Sequence, residues 1–267
     1  MTRLLVSVRN LEEARLAVAG GADIVDLKEP ARGALGAVPL AVAREVVRAL
    51  GASRPVSATV GDLPMQPETV GPAVREMGDT GVAFVKIGFF GAGDGQACIR
   101  ALKPHARRLR LVAVLFADQD PDFSLLEPLR DAGFAGVMLD TAGKGGLGLR
   151  DWVPGEKMAY LIASARELGL ITGLAGSLKV SDIPALLPLA PDYLGFRGAL
   201  CAGGNREKHL DISALRDMRA TLPRREDAAE RDALCLTLLP ERRLAPSLSF
   251  PVDAGAATSS GGAITNR

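Results

Sequence analysis

Eight short apolar runs alternate with amphipathic stretches between residues 4 and 220 of this 267-residue chain. The runs that read as strands are LLVSV (4–8), DIVDL (23–27), PVSATV (55–60), VAFVKIG (82–88), RLVAVLF (110–116), GVMLD (136–140), ITGLAG (171–176) and DYLGFRG (192–198). Stretches with helical periodicity fall near 10–20, 38–50, 68–79, 95–107, 124–132, 156–168, 181–188 and 211–220. GGAD, DTGVAF, DAGFAG and ELGLIT repeat one event, in which a helix ends at glycine and a buried strand follows. Eight strand–helix units in this length predict an α/β fold of the TIM (β/α)8 barrel type. A doubly wound sheet competes, but eight even repeats without a dinucleotide fingerprint disfavour it. The barrel is expected over 1–222. From Pro223 onward the chain turns rich in Pro, Ser, Gly and Ala and loses its periodicity, so 223–267 reads as a largely disordered extension.

Barrel enzymes carry their chemistry at the C-terminal ends of the strands, and strand alternation shows which residues face inward. Asp26 and Lys28 share the inward face of the second strand. Lys86 follows Phe84 on one face of the fourth. The sixth ends at Asp140, with Lys144 four residues into a glycine-rich loop. The chain has seven lysines among 32 Lys and Arg, and three of them stand at these positions. An ammonium can lose its proton and attack a carbonyl, whereas a guanidinium effectively cannot. Lys28, Lys86, Asp26, Asp140 and Lys144 are therefore the candidate catalytic residues, suited to Schiff-base or proton-transfer chemistry. The plainer reading is that a lone lysine at a strand end is a solvated cap or salt-bridge partner. Two lysines converging with two aspartates weigh against it, because buried charges need partners and shift one another's proton affinity.

Phosphate is the second theme. Barrels often hold it between the loops after strands seven and eight, here AGSLK (175–179) and FRGALCAGGNR (196–206). Small residues let backbone N–H groups approach an anion, so Gly176, Ser177 and Gly198 are candidate phosphate contacts. Arg197 is expected to add a bidentate one. Glycine turns and a surface arginine would give the same pattern without a ligand. KEPARGALGA (28–37) reads as a lid over the site or a surface turn, and Asp62 as an extra polar contact.

Composition narrows the partners. Net charge is +1 and aromatics are 4%, which leaves neither the basic field nor the stacking surface that nucleic acid demands. The three cysteines, Cys98, Cys201 and Cys235, form no CxxC, and His105 and His209 are the sole histidines, so no metal site is expected. No apolar run approaches the roughly 18 residues of a membrane span, and no signal-peptide pattern precedes the first strand. A cytoplasmic protein acting on a small phosphorylated molecule is expected, with no nucleic-acid or membrane partner and with a homo-oligomer left open.

The segments LLVSV, GGADIVDLKEPARGALGA, VSATVGD, VKIG, MLDTAGKGG, LAGS and GFRGALCAGGNR together resemble the (5-formylfuran-3-yl)methyl phosphate synthase family of methanofuran biosynthesis. The likeness spans about residues 3–220, and DLKEP…GALGA with MLDTA…K is its most specific part. It implies a lyase, aldolase-like in forming a Schiff base, that condenses two molecules of glyceraldehyde 3-phosphate into a furan aldehyde phosphate with loss of phosphate and water. By the same resemblance Lys28 matches the Schiff-base lysine and Lys86 the proton acceptor. Asp26, Asp140 and Lys144 match other charged residues of that site. The resemblance implies no metal or organic cofactor, since the lysine imine is the electron sink, and it suggests a setting in one-carbon metabolism. The extension beyond Pro223 matches nothing in the family. A class I aldolase-type lyase acting on another triose phosphate, and a non-catalytic phosphate-binding barrel, are the competing readings.

Overall fold

A computed structural model describes residues 1–51, 53–91, 93–143 and 146–222. The expected extension at 223–267 lies outside the described residues, and so does Lys144.

The strands are β1 (Arg3–Val8), β2 (Ile24–Leu27), β3 (Val56–Thr59), β4 (Phe84–Phe89), β5 (Leu111–Phe116), β6 (Gly136–Asp140), β7 (Ile171–Leu174) and β8 (Tyr193–Phe196). All pair in parallel in sequence order, and β8 returns to β1 to close the barrel. The helices are α1 (Leu11–Ala19), α2 (Leu40–Leu50), α3 (Pro67–Gly78), α4 (Gly95–Ala106), α5 (Leu126–Ala132), α6 (Leu149–Trp152), α7 (Gly155–Glu167), α8 (Ile183–Leu186) and α9 (Ile212–Thr221). Every expected strand and helix is present; α6 is additional. Its four residues are too few to show a helical period, and its start is set by Asp151, which accepts from the Gly148 N–H at 2.7 Å. None of the described helices is long and apolar enough to cross a membrane.

Alternation divides the strands as the sequence implies. Leu4, Val6 and Val8 of β1, Val25 and Leu27 of β2, and Val85, Ile87 and Phe89 of β4 point outward into one continuous apolar layer beneath the helices. The opposite set faces the barrel axis, with Leu5 and Ser7, Asp26 and Lys28, Lys86, and Met138 and Asp140 bordering its interior cavity. The repeated helix-to-strand junctions also have a physical cause. Gly21, Gly81, Gly133 and Gly169, one from each repeated junction, all have positive φ between 72° and 91°. That conformation ends a helix cheaply only without a Cβ.

The barrel floor is packed tightly around Tyr193. Its ring is buried and its hydroxyl donates to the Met138 Sδ at 3.4 Å. Gly173 on neighbouring β7 makes room for the phenol, since a Cβ there would lie 2.2 Å from Tyr193 Cζ. Gly173→Ala is therefore expected to lower folding stability by about 1–3 kcal/mol, the usual cost of overpacking a core. Urea or thermal unfolding measures it, and an unchanged midpoint would show that Tyr193 moves aside freely.

Candidate active site

Four buried charges cross the barrel interior as two ion pairs. Lys86 Nζ lies 2.8 Å from Asp26 Oδ1, and Lys28 Nζ lies 3.2 Å from Asp140 Oδ2. Asp26 is the hub. Ser7 of β1 donates to its Oδ2 at 3.0 Å and Ser57 of β3 to its Oδ1 at 2.6 Å, so one carboxylate ties together β1, β2, β3 and β4. Burial by itself pushes the Asp26 carboxyl up. The Lys86 and Lys28 charges and the hydrogen bonds from Lys86 and Ser57 outweigh burial and hold it below the usual carboxylate range. Asp140 is anchored more lightly, its Oδ1 accepting from the Thr141 N–H at 2.8 Å.

The mouth above these pairs is half covered. Gly88, inward on β4, faces Leu35, Phe90 and Phe116, and the two phenylalanine rings stack 4.4 Å apart. Leu35 comes from the loop 29–37, which is neither an open lid nor a surface turn. Asp62 accepts from the N–H groups of Ala34 and Leu35 at 2.8 and 2.6 Å, and Leu35 is fully buried. With the β4–β5 side plugged, the opening is a cavity of about 490 Å³ over β1, β2 and β6–β8. A second aspartate acts alike on the opposite side. Asp118 accepts from the N–H groups of Ala142 and Gly143 at 2.8 and 2.5 Å and so fixes the loop that follows Asp140.

The cavity gathers nearly all of the expected site. Lys28, Lys86, Asp26, Asp140, Gly176, Ser177, Arg197 and Gly198 border it, as do Gly143 and Gly146, while Lys144 lies outside the described residues. At the β7 loop, Gly176 and Ser177 both have positive φ, 105° and 49°. A side chain at Gly176 would come within 2.9 Å of the Thr141 backbone, so glycine is required there. The N–H groups of Gly176, Ser177 and Leu178 find no acceptor among the described residues. Successive free amides in such a conformation form a concave nest for an anion.

Arg197 departs from expectation. Its guanidinium is not available for a bidentate phosphate contact, because each of its N–H groups already has an acceptor. Nε donates to Arg206 O at 2.9 Å, Nη1 to Ser7 O at 3.1 Å and Glu13 Oε2 at 2.5 Å, and Nη2 to Glu13 Oε1 at 3.2 Å and Lys208 O at 2.9 Å. Glu13, on α1, is only 1% exposed. Burial raises its carboxyl, yet the Arg197 hydrogen bond and charge, aided by Arg9, bring it below the usual range. The position of Arg197 after the eighth strand carried no information on a partner 184 residues earlier. The sequence reading also passed over Ser7, Glu13, Asp118 and Arg206. Ser7 was within reach by alternation along β1. Glu13 stands three residues after the helix-capping Asn10, a spacing that marks a helix start. Asp118 and Arg206 left no local signal.

A closed parallel barrel with its polar cluster at the C-terminal mouth is the arrangement of (β/α)8-barrel enzymes. Structural comparison agrees on the fold. Phosphoribosyl anthranilate isomerase from Thermus thermophilus superposes with a TM-score of 0.58 at 18% identity, covering 82% of this chain and 98% of that one. The family model described as 4-HFC-P synthase matches residues 4–219, and the chain belongs to that family. It is 40% identical over 219 residues to the (5-formylfuran-3-yl)methyl phosphate synthase of Methanopyrus kandleri, covering 77% of this chain and 92% of that protein. A Methylorubrum extorquens protein provisionally given the same name is 42% identical over 222 residues, covering 82% and 92%. The chain is thus a synthase by family.

The buried Glu13–Arg197 pair yields two expectations. Arg197→Gln leaves a carboxylate stranded and should cost about 3–5 kcal/mol of folding stability. A loss confined to activity would instead return Arg197 to the substrate. Because folded Asp26 and Glu13 titrate below their unfolded counterparts, the unfolded chain takes up protons first as pH falls. Their stabilisation is present in full above the ordinary carboxylate range and disappears as pH drops through it towards their lower folded values. Urea unfolding between neutral pH and pH ~3 should show this decline, and Glu13→Gln should make it shallower.

Proposed function

We propose that the chain condenses two glyceraldehyde 3-phosphates into (5-formylfuran-3-yl)methyl phosphate through an imine on Lys28. One phosphate and two waters leave for each furan formed, which balances the atoms. The observation that carries the assignment of roles is the inequality of the two ion pairs. Lys86 is 2% exposed and bound to an Asp26 already held by two hydroxyls, whereas Lys28 is 8% exposed at the cavity edge with a single carboxylate partner. Lys28 is the amine that a substrate aldehyde can reach. Asp140 is placed to take the proton that Lys28 must shed before it attacks. The protonated imine acidifies the adjacent carbon, and Lys86, after passing its own proton to the carboxylate of Asp26, takes the proton from that carbon as a neutral amine. The resulting enamine attacks the second aldehyde. Elimination of phosphate, ring closure and dehydration then give the aromatic furan. The free amides of Gly176, Ser177 and Leu178, beside Gly198, hold a substrate phosphate, and fixing both trioses in one cavity supplies the proximity that a two-molecule condensation needs. The family supports this reading, and the printed name of the Methanopyrus relative supports its product.

Borohydride reduction in the presence of glyceraldehyde 3-phosphate, followed by peptide mass spectrometry, tests the imine. The adduct is expected on the peptide carrying Lys28; an adduct on Lys86 would exchange the two roles, and none at all would remove imine chemistry. Lys28→Arg should abolish the furan absorbance that develops on incubation while leaving the fold intact, because the charge survives and the nucleophile does not. Lys86→Gln should slow turnover by about 10²–10⁴-fold, the range for loss of a general acid–base group, with the Lys28 adduct still trapped. Trapping without any furan would favour an aldolase-type lyase on another triose phosphate.

A further inference from the structure

The β8 loop carries two arginines into the same cavity wall, and they are in opposite states. Arg197 is neutralised by Glu13 and saturated with acceptors. Among the described residues the Arg206 side chain makes one hydrogen bond, from Nη2 to the Gly33 carbonyl at 3.0 Å. Its Nε is buried with no acceptor, and no carboxylate pairs with it among the described residues, although its chain neighbour Glu207 also borders the cavity. A buried guanidinium N–H without an acceptor is rare in a folded protein and calls for an explanation. A simple brace between the β8 and β2 loops accounts for the Gly33 contact and leaves the buried Nε and the uncompensated charge unexplained.

The loop around Arg206 is held rigidly. The carbonyls of Arg206, Glu207 and Lys208 are each gripped by an arginine, Arg197 taking the first and third and Arg9 the second. Gly198 lies alongside, so close that a Cβ placed on it would stand 4.0 Å from Arg206 Cβ. The cavity therefore presents a cation beside Gly198, and the free amides of Gly176, Ser177 and Leu178 line the same cavity.

We propose that Arg206 is the cationic arm of the phosphate site, closing on a substrate phosphate together with the Gly176–Leu178 amides while its Nη2 keeps the β2 loop in register. The inference rests on the phosphate reading of these loops and adds a specificity-determining residue to it. An arginine in this place would select phosphorylated over neutral trioses, since its planar fork matches two phosphate oxygens at once.

The test uses inorganic phosphate as probe, measured by titration calorimetry on the full chain, so it does not depend on which reaction the enzyme performs. Wild-type protein should bind phosphate, and Arg206→Gln should bind it about 10- to 100-fold more weakly, as expected for a charge-assisted contact. Arg206→Lys should fall between the two, and it retains a cation should the glutamine variant fold poorly. With glyceraldehyde 3-phosphate the KM should rise by a similar factor with kcat changed far less. Wild-type and variant affinities within twofold of each other would overturn the assignment of Arg206 and leave the phosphate reading standing. Absence of phosphate binding by the wild type would overturn both.

Discussion

Four charges buried inside the closed barrel are the constraint around which the rest of the site is arranged. An isolated ion in such a place is prohibitively costly, and even a good pair roughly breaks even against apolar packing. Lys86–Asp26 and Lys28–Asp140 are therefore poor candidates for devices of stability, since a barrel filled with valine and leucine would hold as well. Their presence is better understood through chemistry. β2 contributes opposite charges at two successive inward positions, Asp26 and Lys28, and each is matched from another strand. The deeper carboxylate accepts two hydroxyls besides its lysine, and the shallower one accepts a single backbone N–H. A nucleophilic amine has to give up its partner when it reacts, and only the shallower lysine can do that without leaving a fully buried carboxylate behind.

The chemistry proposed for this cluster would work only if its surroundings hold still. Three loops are fixed by the same means, a side chain satisfying backbone groups of a neighbouring loop. Asp62 holds the loop after β2, Asp118 holds the loop after β6, and Arg197 with Arg9 holds the loop after β8. Each clamp replaces backbone–water hydrogen bonds with internal ones, so the order of the mouth is set before any substrate enters. Positioning paid for during folding need not be supplied by substrate binding. Asp62 also closes the β4–β5 side through Leu35, which turns the open cavity towards Lys28, Asp140 and the free amides of the β7 loop.

The parts of this architecture that repeat were legible in the chain. Strand alternation tells which of Asp26, Lys28 and Lys86 face the axis, and the end of the sixth strand brings Asp140 to the same mouth. Four glycines at corresponding junctions announced the helix–strand period, and their positive φ values give the reason. Long-range partners were not legible. Whether Arg197 meets solvent, substrate or carboxylate depends on α1 crossing the β8 loop, and nothing near position 197 encodes Glu13. The same holds for Asp118, whose role depends on the loop of the next strand. Helix α6 escaped because four residues are shorter than any detectable period. The chemistry of the site was thus written in local pattern, while its supporting scaffold was written in pairings between distant segments.

That division explains how two arginines nine residues apart in one loop can look alike and act differently. Both follow β8, both border the cavity, and sequence spacing favours Arg197 because it continues the strand. The deciding quantity is the acceptor count. Glu13 and three carbonyls exhaust the donors of Arg197, and one of those carbonyls belongs to Arg206, so the saturated arginine positions the unsaturated one. The interior ion pairs cancel, which leaves the reacting end of the cavity electrically balanced. Arg206 then adds a cation without a carboxylate partner among the described residues to the wall of the cavity that the free amides also line. A triose phosphate entering such a field would turn its phosphate to the wall and its aldehyde to the balanced interior, where Lys28 stands. Orientation would follow from the contrast between the paired charges of the interior and the half-buried Arg206 at the wall.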